Sequence, residues 1–268
     1  MITSHSNKSV REVIQLNQRA KLRNKQDLFV AEGFKMFAEA PVERIHKVFI
    51  ARRAEGELRS VYGEKLDKLS VEVVTDDVFD KMSDTKTPQG ILCLVRQFHY
   101  RIEEMLTARN DKKHMLFIVL EDLQDPGNLG TVFRTGEGVG VDGIIMSSQT
   151  VDVYNPKTIR STMGSVYRVP FLYTDDLCET IRILQKHDIR VYAAHLDGAG
   201  YYDGQDYCCG TAFLIGNEGN GLKHETAVCA DGLIKIPMEG KVESLNAAVA
   251  SSILLYEAYR QRRCVSET

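Results

Sequence analysis

The feature that most constrains the fold is the alternation of short apolar runs with helical patterns that begins at residue 115. Residues 115–120 are continuously apolar, which is typical of a parallel strand buried on both faces. Further apolar runs lie at comparable spacing, at 143–146, 189–194, 212–215 and 233–236. Because strands that alternate with helices form parallel sheets, the pattern predicts an α/β domain with helices on both faces of a parallel sheet.

A smaller set of alternating elements precedes this region. It begins with a helical pattern at 6–26 and ends with an apolar run at 90–95, and the stretch that follows is polar apart from one short helical pattern. A unit of about 95 residues is an ordinary domain size. We therefore predict a small N-terminal α/β domain over 1–96, a linker over 97–114 and a C-terminal domain over 115–268.

Composition limits the cellular setting and the bound groups. The 268 residues carry a net charge of −3, and no apolar run approaches the ~18 residues of a membrane-spanning helix. No signal-peptide pattern is visible, so we expect a cytoplasmic protein without a membrane partner. The six cysteines are scattered without a C-x-x-C pair. We therefore predict no metal site, and reduced thiols that are mostly buried.

Positive charge is concentrated at the N-terminus. Residues 1–26, the basic arm, hold six lysines and arginines against one glutamate. Such an arm can bind the phosphate backbone of a nucleic acid. A solvated helix face has the same composition, and charge alone favours this second interpretation.

The first motif with chemical content runs from Glu121 to Thr135, where the strand leads into a Pro-Gly turn and a helix. Asn128 is predicted to cap this helix, and Arg134 lies about two turns further on. Backbone N–H groups at a helix N-terminus, together with an arginine, suit a phosphate or another anion. An ordinary strand–helix turn with a surface arginine is an equally good interpretation of this motif alone.

A glycine pattern at 138–143 matches G-x-G-x-x-G. The dinucleotide-binding fingerprint needs these glycines after a strand and at the start of a helix. Here they close a helix and open a strand, so we interpret them as a helix cap. A dinucleotide-dependent oxidoreductase is therefore disfavoured.

Two later loops also follow predicted strands. Residues 213–221 lead from an apolar strand into three glycines and Glu218, and residues 233–246 lead from a strand through Pro237 to Ser244. Ser244 is predicted to cap the last helix. That helix has small residues on one side, and on another side it has apolar residues at helical spacing, namely Leu245, Val249, Ile253 and Tyr256.

These loops predict a site for a small polar ligand at the carboxyl edge of the sheet. A fourth strand end, at 194–198, carries His195, for which a catalytic role is one interpretation and a structural role is the more common one for a lone histidine at a strand end. The loops offer glycine, asparagine, serine, one acid and one arginine, without an evident acid–base pair. Methyl transfer from a sulfonium fits this inventory, because its leaving group departs neutral and alignment of the reactants does most of the catalysis.

Three motifs in this order resemble the SpoU/TrmH branch of the SPOUT RNA methyltransferases. They are Asn128-x-Gly130-x-x-x-Arg134-Thr135, Gly216-Asn217-Glu218-Gly219-x-Gly221 and Ile236-Pro237-Met238-x-Gly240-x-x-x-Ser244-Leu245-Asn246. The N-terminal region is similar to the substrate-binding domain of this family through residues 29–33 and 87–90. The resemblance therefore covers most of the chain.

The resemblance implies a C-terminal SPOUT domain whose sheet contains a deep trefoil knot, a rare exception to ordinary chain connectivity. It implies S-adenosylmethionine as the methyl donor, a ribose 2′-hydroxyl of RNA as the acceptor, and a homodimer formed through the C-terminal domain. The additional N-terminal domain favours ribosomal RNA as the substrate. A tRNA 2′-O-methyltransferase and an RNA-binding paralogue without activity are the alternatives.

The resemblance also implies roles for individual residues. Arg134 would help to activate the 2′-hydroxyl, Asn128 and Glu218 would shape the site, and Ser244 and Asn246 would lie beside Arg134. The cofactor would contact Leu196, Asp197, Gly198, Ile215, Gly216, Asn217, Ile236, Pro237, Met238 and Leu245. RNA would contact Arg19, Lys21, Arg23, Lys25 and Arg134. One departure is Ala247-Ala248 after Asn246, where many relatives have Val-Ser, so a supporting hydroxyl is missing.

Overall fold

The computed structural model describes residues 1–108 and 114–266. Contacts divide the chain into two compact units. The N-terminal unit comprises residues 1–98 and 152–167, and the C-terminal unit comprises residues 99–151 and 168–268. The domain boundaries at 96 and 115 stay a prediction, and the structure adds that residues 152–167 pack in the N-terminal unit. Part of the predicted linker, residues 109–113, lies outside the described residues.

The N-terminal unit contains a four-stranded mixed sheet. Its strands are β1 (Leu28–Glu32), β2 (Ile45–Ala51), β3 (Val71–Val74) and β4 (Ile91–Arg96), in the order β1-β4-β2-β3. β4 is antiparallel to both neighbours, whereas β2 and β3 are parallel. The helices are α1 (Lys8–Gln18), α2 (Ala20–Gln26), α3 (Phe34–Glu39), α4 (Glu55–Leu66), α5 (Asp76–Met82) and α8 (Pro156–Thr162).

The basic arm forms two helices rather than the single predicted one. The chain is extended at Arg19, with φ −127° and ψ 104°, and this residue separates α1 from α2. α1 begins at the cap residue Asn7 and places three apolar side chains in the core, those of Val10, Val13 and Leu16. The arm is therefore part of the folded unit and not a detached tail.

The C-terminal unit is built on a seven-stranded sheet in which all the described pairs are parallel. The strands are β5 (Leu116–Leu120), β6 (Gly143–Ser147), β7 (Phe171–Thr174), β8 (Arg190–Ala194), β9 (Gly200–Tyr201), β10 (Thr211–Ile215) and β11 (Gly232–Lys235). Its helices are α6 (Ile102–Thr107), α7 (Pro126–Val139), α9 (Leu177–Lys186), α10 (His224–Ala227) and α11 (Ala247–Ser266). The predicted α/β fold with a parallel sheet is confirmed.

Strand order places distant loops side by side. The order is β7-β6-β5-β10-β8-β11-β9, so β10 lies between β5 and β8. In register, Leu120 is opposite Ile215, and Ala193 is opposite both Leu214 and Leu233. Because the strands are parallel, the loops after β5, β10, β8 and β11 all leave from one edge of the sheet.

Apolar burial explains why the central strands are continuous hydrophobic runs. β5 and β10 are buried along their whole length, as expected when helices cover both faces. One face packs against α6 and α9 through Met105, Leu106, Ile181 and Leu184. No helix in the described parts of the chain, 1–108 and 114–266, is long and apolar enough to cross a membrane.

The glycine pattern at 138–143 has the capping role that the sequence predicts. Gly140 adopts φ +74° and ends α7, and Gly143 begins β6. A left-handed residue just after a helix is most easily supplied by glycine. The prediction that this pattern is a helix cap is therefore confirmed.

Candidate active site

Glu218 connects the loop after β10 with the start of α7. Its carboxylate accepts hydrogen bonds from the backbone N–H groups of Gln124 and Asp125, at 3.1 and 3.0 Å, and from Asn128 Nδ2, at 2.9 Å. Partial burial alone raises the pKa of Glu218, but the three hydrogen bonds outweigh it and hold the pKa below its ordinary value. Glu218 is therefore an ionised anchor between two loops.

Asp125, and not Asn128, caps α7. The helix begins at Pro126, and the side chain of Asp125 accepts a hydrogen bond from the backbone N–H of Asn128 at 2.9 Å. Proline suits the first helical position because its missing N–H has no partner there in any case. The prediction that Asn128 is the cap is wrong, and its side-chain amide is left to bond across the site.

Asn246 completes a hydrogen-bonded series of three polar side chains, Glu218, Asn128 and Asn246. Its Nδ2 donates to Asn128 Oδ1 at 2.9 Å, and its Oδ1 accepts from the backbone N–H groups of Ala248 and Val249 at 2.9 and 3.3 Å. Asn246 is therefore the cap of α11, and the prediction that Ser244 is the cap is wrong. Ser244 lies two residues earlier and is exposed.

The direction of the hydrogen bonds through Glu218, Asn128 and Asn246 is set at both ends of the series. Glu218 is ionised and can only accept, so Asn128 must present its NH₂ group to Glu218 and its oxygen to Asn246. Asn246 then presents its NH₂ group to Asn128 and its oxygen to the N-terminus of α11. One residue from each of the three sequence motifs thus takes part in a single hydrogen-bonded arrangement with one orientation.

The loop after β10 is tightly folded. Gly216 lies so close to the returning chain that a Cβ atom there would be 2.2 Å from the carbonyl carbon of Gly221. Asn217 Oδ1 accepts from two backbone N–H groups inside the loop, at 2.9 and 3.0 Å, while its Nδ2 donates to the carbonyl oxygen of Asp122 at 2.8 Å. Only glycine therefore fits at position 216 without a shift of the backbone.

The remaining cofactor candidates follow β8 and β11 on the same edge. Gly198 contacts the backbone of β11, because a Cβ atom there would lie 2.7 Å from the carbonyl carbon of Ile234. Leu196 is 63% exposed beside it. Exposed or half-exposed positions continue through Asp197, Ile236, Pro237, Met238 and Leu245. Exposed apolar side chains at these strand ends are available to contact a ligand.

Arg134 is exposed on α7, six residues after Asn128. Six residues of helix span about 9 Å along the axis. Within residues 1–108 and 114–266, its guanidinium forms no ion pair with a carboxylate. The structure therefore places an unneutralised cation on the helix that carries Asn128, available to an anionic ligand.

The basic arm contains one exception among its predicted RNA contacts. Three of them are exposed, Arg19, Lys21 and Lys25. Arg23 is buried, and its guanidinium pairs with Asp152 at 2.5 Å and donates to the carbonyl oxygens of Leu16 and Asn17 at the end of α1. The last carbonyl groups of a helix lack partners inside the helix, and Arg23 supplies one. The Arg23 guanidinium is thus held by partners within the protein, which speaks against the prediction that it contacts RNA.

The cysteines differ from the prediction in their burial. All six are in the reduced state, and Cys93 is the one that is fully buried, whereas Cys264 is exposed and the other four are partly buried. In the described parts of the chain, no group of three or more histidine, cysteine, aspartate or glutamate side chains is arranged to hold a metal ion.

Sequence reasoning missed several residues that shape this edge. Asp125 is the true cap. Glu121 is buried and bonds to the segment after the Gly216 loop through Lys223 and Thr226, and Asp122 pairs with the Lys223 ammonium group at 2.8 Å. The sequence does show Glu121 and Asp122 between a buried strand and a Pro-Gly turn, which marks them as candidates for a structural role. Their partners could not be predicted, because these lie about a hundred residues away in the chain.

Comparison with known proteins gives two family matches. The SpoU rRNA Methylase family matches residues 115–256, and the MRM3-like substrate binding domain matches residues 7–93. A putative TrmH family tRNA/rRNA methyltransferase of Staphylococcus haemolyticus is 32% identical over 205 residues, which cover 76% of this chain and 82% of that protein. RlmP of Bacillus subtilis, a 23S rRNA (guanosine(2553)-2′-O)-methyltransferase, is 32% identical, with coverage of 69% and 70%.

A solved structure is similar over nearly the whole chain. The AdoMet-bound rRNA methyltransferase from Sinorhizobium meliloti superposes with a TM-score of 0.82 at 29% sequence identity. The superposition covers 97% of each chain.

Proposed function

Because this chain belongs to the SpoU rRNA methylase family, we propose that it methylates a ribose 2′-hydroxyl of ribosomal RNA at the site described above. Its class is plain: it is an RNA ribose methyltransferase that uses S-adenosylmethionine. The hydrogen-bonded arrangement of Asn128, Glu218 and Asn246 carries the assignment of the site, because it joins the three motif loops at the carboxyl edge of the sheet.

The residues present fit the cofactor. S-adenosylmethionine, when bound, supplies an activated methyl group whose leaving sulfur becomes neutral. The close contacts of Gly198 and Gly216 with neighbouring backbone fix the shape of the two loops, and the exposed apolar side chain of Leu196 beside them suits the adenine. We assign cofactor contacts to ten residues: Leu196, Asp197, Gly198, Ile215, Gly216, Asn217, Ile236, Pro237, Met238 and Leu245.

The chain's own groups can prepare the acceptor. Arg134 is exposed and unpaired in the described parts of the chain, so it can bind an RNA phosphate and lower the local cost of forming an alkoxide from the 2′-hydroxyl. Glu218 and Asn128 hold the start of α7 in place, and Asn246 ties that helix to α11. Ser244 precedes Asn246 in the same loop and would contact the reactants directly.

A homodimer and a trefoil knot belong to the same proposal. Val249 and Tyr256 of α11 are 47% and 52% exposed, although their spacing predicts an apolar packing face. The small residues Ala247, Ser251 and Ala258 are already buried within the chain. We assign the apolar face of α11 to the partner subunit and the small face to packing inside the unit, where the knot would lie.

RNA binding would use both units. Arg19, Lys21 and Lys25 are exposed on the basic arm, in a region matched by a substrate-binding domain. The named relatives include methyltransferases of 23S rRNA and of tRNA or rRNA without distinction. We favour ribosomal RNA and the cytoplasm as the place of action, with tRNA as the alternative substrate.

The deciding experiment is to map 2′-O-methyl marks in host RNA with and without the gene. We expect one ribosomal position to lose its mark and to regain it when the wild-type gene, but not the Arg134→Ala gene, is restored. Loss of a tRNA mark instead would establish the alternative substrate. An unchanged map, together with an inert purified protein, would indicate an RNA-binding paralogue without activity.

A further inference from the structure

Glu121 is a buried acid that none of the steps above uses. It follows β5 directly and is 3% exposed. Its Oε2 accepts a hydrogen bond from the backbone N–H of Lys223 at 2.8 Å, and its Oε1 accepts one from the hydroxyl of Thr226 at 2.5 Å. Burial of a carboxylate is costly unless its oxygens are bonded, so this residue is held by two specific partners.

Both partners belong to the segment that follows the tightly folded loop 216–221. Lys223 is two residues beyond Gly221, and Thr226 lies in α10, where it is 4% exposed. A Cβ atom on Gly216 would lie 2.4 Å from the backbone nitrogen of Leu222. Gly216 is already in contact with the backbone of Gly221 and Leu222. A shift of Lys223 would therefore displace the backbone atoms that pack against Gly216.

The neighbouring residue, Asp122, supports the same segment from the other side. Its carboxylate pairs with the Lys223 ammonium group at 2.8 Å, and its carbonyl oxygen accepts from Asn217 Nδ2 at 2.8 Å. The loop after β10 is thus attached at its beginning through Asn217 and at its end through Lys223. Both attachments start from the two acids after β5.

We propose that Glu121 is a positioning residue, which acts through Lys223 and Thr226 to keep loop 216–221 in the shape that binds S-adenosylmethionine. The proposal rests on the assignment of cofactor contacts to Ile215, Gly216 and Asn217 made above. Glu218 reaches in the opposite direction, from this loop to the start of α7. The loop after β5 is therefore bonded to the segment after loop 216–221 through Glu121, and loop 216–221 is bonded to the start of α7 through Glu218.

Three variants test the role with the full-length protein and S-adenosylmethionine as the calorimetric ligand. Glu121→Ala removes both hydrogen bonds, and we expect the Kd to rise about tenfold. Thr226→Val removes one hydroxyl at nearly constant volume, and we expect a rise of about threefold. Glu121→Gln keeps an acceptor for Lys223 and a donor for the Thr226 oxygen, so we expect affinity within about twofold of wild type.

Asp142→Ala is the matched control. Asp142 is also buried, and its carboxylate accepts from the backbone N–H of Leu116 at 2.7 Å, but at the opposite edge of the sheet. We expect it to lower the Tm without changing the Kd. If Glu121→Ala and Thr226→Val behave like Asp142→Ala, with a lower Tm and an unchanged Kd, Glu121 is merely structural and the proposal is overturned. If Glu121→Ala does not fold, the Kd of Thr226→Val alone tests the positioning role.

A separate variant checks the cofactor assignment itself. Leu196 is 63% exposed, so Leu196→Asp leaves the fold intact while placing a charge among the assigned contacts. Weakened binding by Leu196→Asp with wild-type binding by Glu121→Ala overturns the positioning role alone. Wild-type binding by both overturns the placement of the cofactor as well.

Discussion

Helix α7 of the C-terminal unit and the basic arm of the N-terminal unit each carry an arginine that the sequence predicts to bind RNA, and the two arginines differ in burial and in partners. Arg134 is exposed on a helix whose start is held by Glu218 and Asn246. Arg23 is buried against Asp152 and the end of α1. A cation in a sequence is therefore a candidate ligand only where the fold has not already given it a partner.

The difference extends to how function is distributed. At the strand ends, Glu218, Asn128 and Asn246 are joined by hydrogen bonds that fix the orientation of both amides, so single substitutions should have large effects. On the basic arm, RNA binding is proposed for three exposed cations together, so each single substitution should have a small effect. Substitutions in the two regions test this contrast, and they are taken in order of decreasing effect.

Arg134→Ala should have the largest effect on activity. We expect the methylation rate to fall about a hundredfold or more, because a preorganised cation at a developing oxyanion is typically worth that much. The Kd for S-adenosylmethionine should stay within a few-fold of wild type, as calorimetry would show. Full turnover by this variant would remove Arg134 from the mechanism.

Arg23→Ala should reduce stability instead of activity. It leaves Asp152 without its partner and the end of α1 without a donor, so we expect the free energy of unfolding to fall by about 3 kcal/mol. Lys21→Ala, an exposed neighbour, should change it by less than about 0.5 kcal/mol. Denaturant titration distinguishes them, and equal effects would contradict the burial of Arg23.

Asn246→Ala should affect both properties moderately. Loss of the cap should cost about 1 kcal/mol of stability, and the methylation rate should fall about tenfold as α7 and α11 lose their link. Ser244→Ala should leave the free energy of unfolding within about 0.5 kcal/mol of wild type, since Ser244 does not cap the helix. A larger stability loss for Ser244→Ala than for Asn246→Ala would reverse the assignment of the cap.

Neutralising the exposed cations of the basic arm tests the distributed region. Arg19, Lys21 and Lys25 replaced together by glutamine should weaken RNA binding and reduce its salt dependence. The log–log slope should become shallower by about 0.7–0.9 for each RNA phosphate that the arm no longer neutralises. Substitution is preferable to deletion of residues 1–26, because α1 supplies core side chains. An unchanged salt slope would exclude the arm from the RNA interface.

The pH dependence of Glu218 is the smallest expected effect. Its pKa is lowered in the folded protein, against a reference near 4.3 in the unfolded chain. The stabilisation is therefore present above about pH 4.3 and lost as pH falls through the folded-state pKa. Because the side chain is partly solvated, we expect less than about 1 kcal/mol. The stability gap between wild type and Glu218→Gln should close in acid, and a gap independent of pH would contradict this.

The grouping of the three motif loops at one sheet edge was predictable from the sequence, whereas the residues that cap the N-termini of α7 and α11 were not. The register of β5, β10, β8 and β11 brings the loops of all three motifs to one edge, as the parallel pattern predicts. Both Asp125 and Asn128 are good capping residues, and no local rule chooses between them. The choice depends on Glu218, which bonds to the amide of Asn128 across 90 residues of chain.

The sequence by itself determined the class of fold, because continuously apolar strands must be buried by helices on both faces of the sheet. It also determined the family, because three motifs occur in a fixed order and spacing. Tertiary structure decided which cations are exposed, which residues cap α7 and α11, and which acids hold loop 216–221. Arg23 and Arg134 are the same type of residue, and so are Glu121 and Glu218. Their roles differ because burial and partners arise from contacts between residues far apart in the chain, which local sequence does not encode.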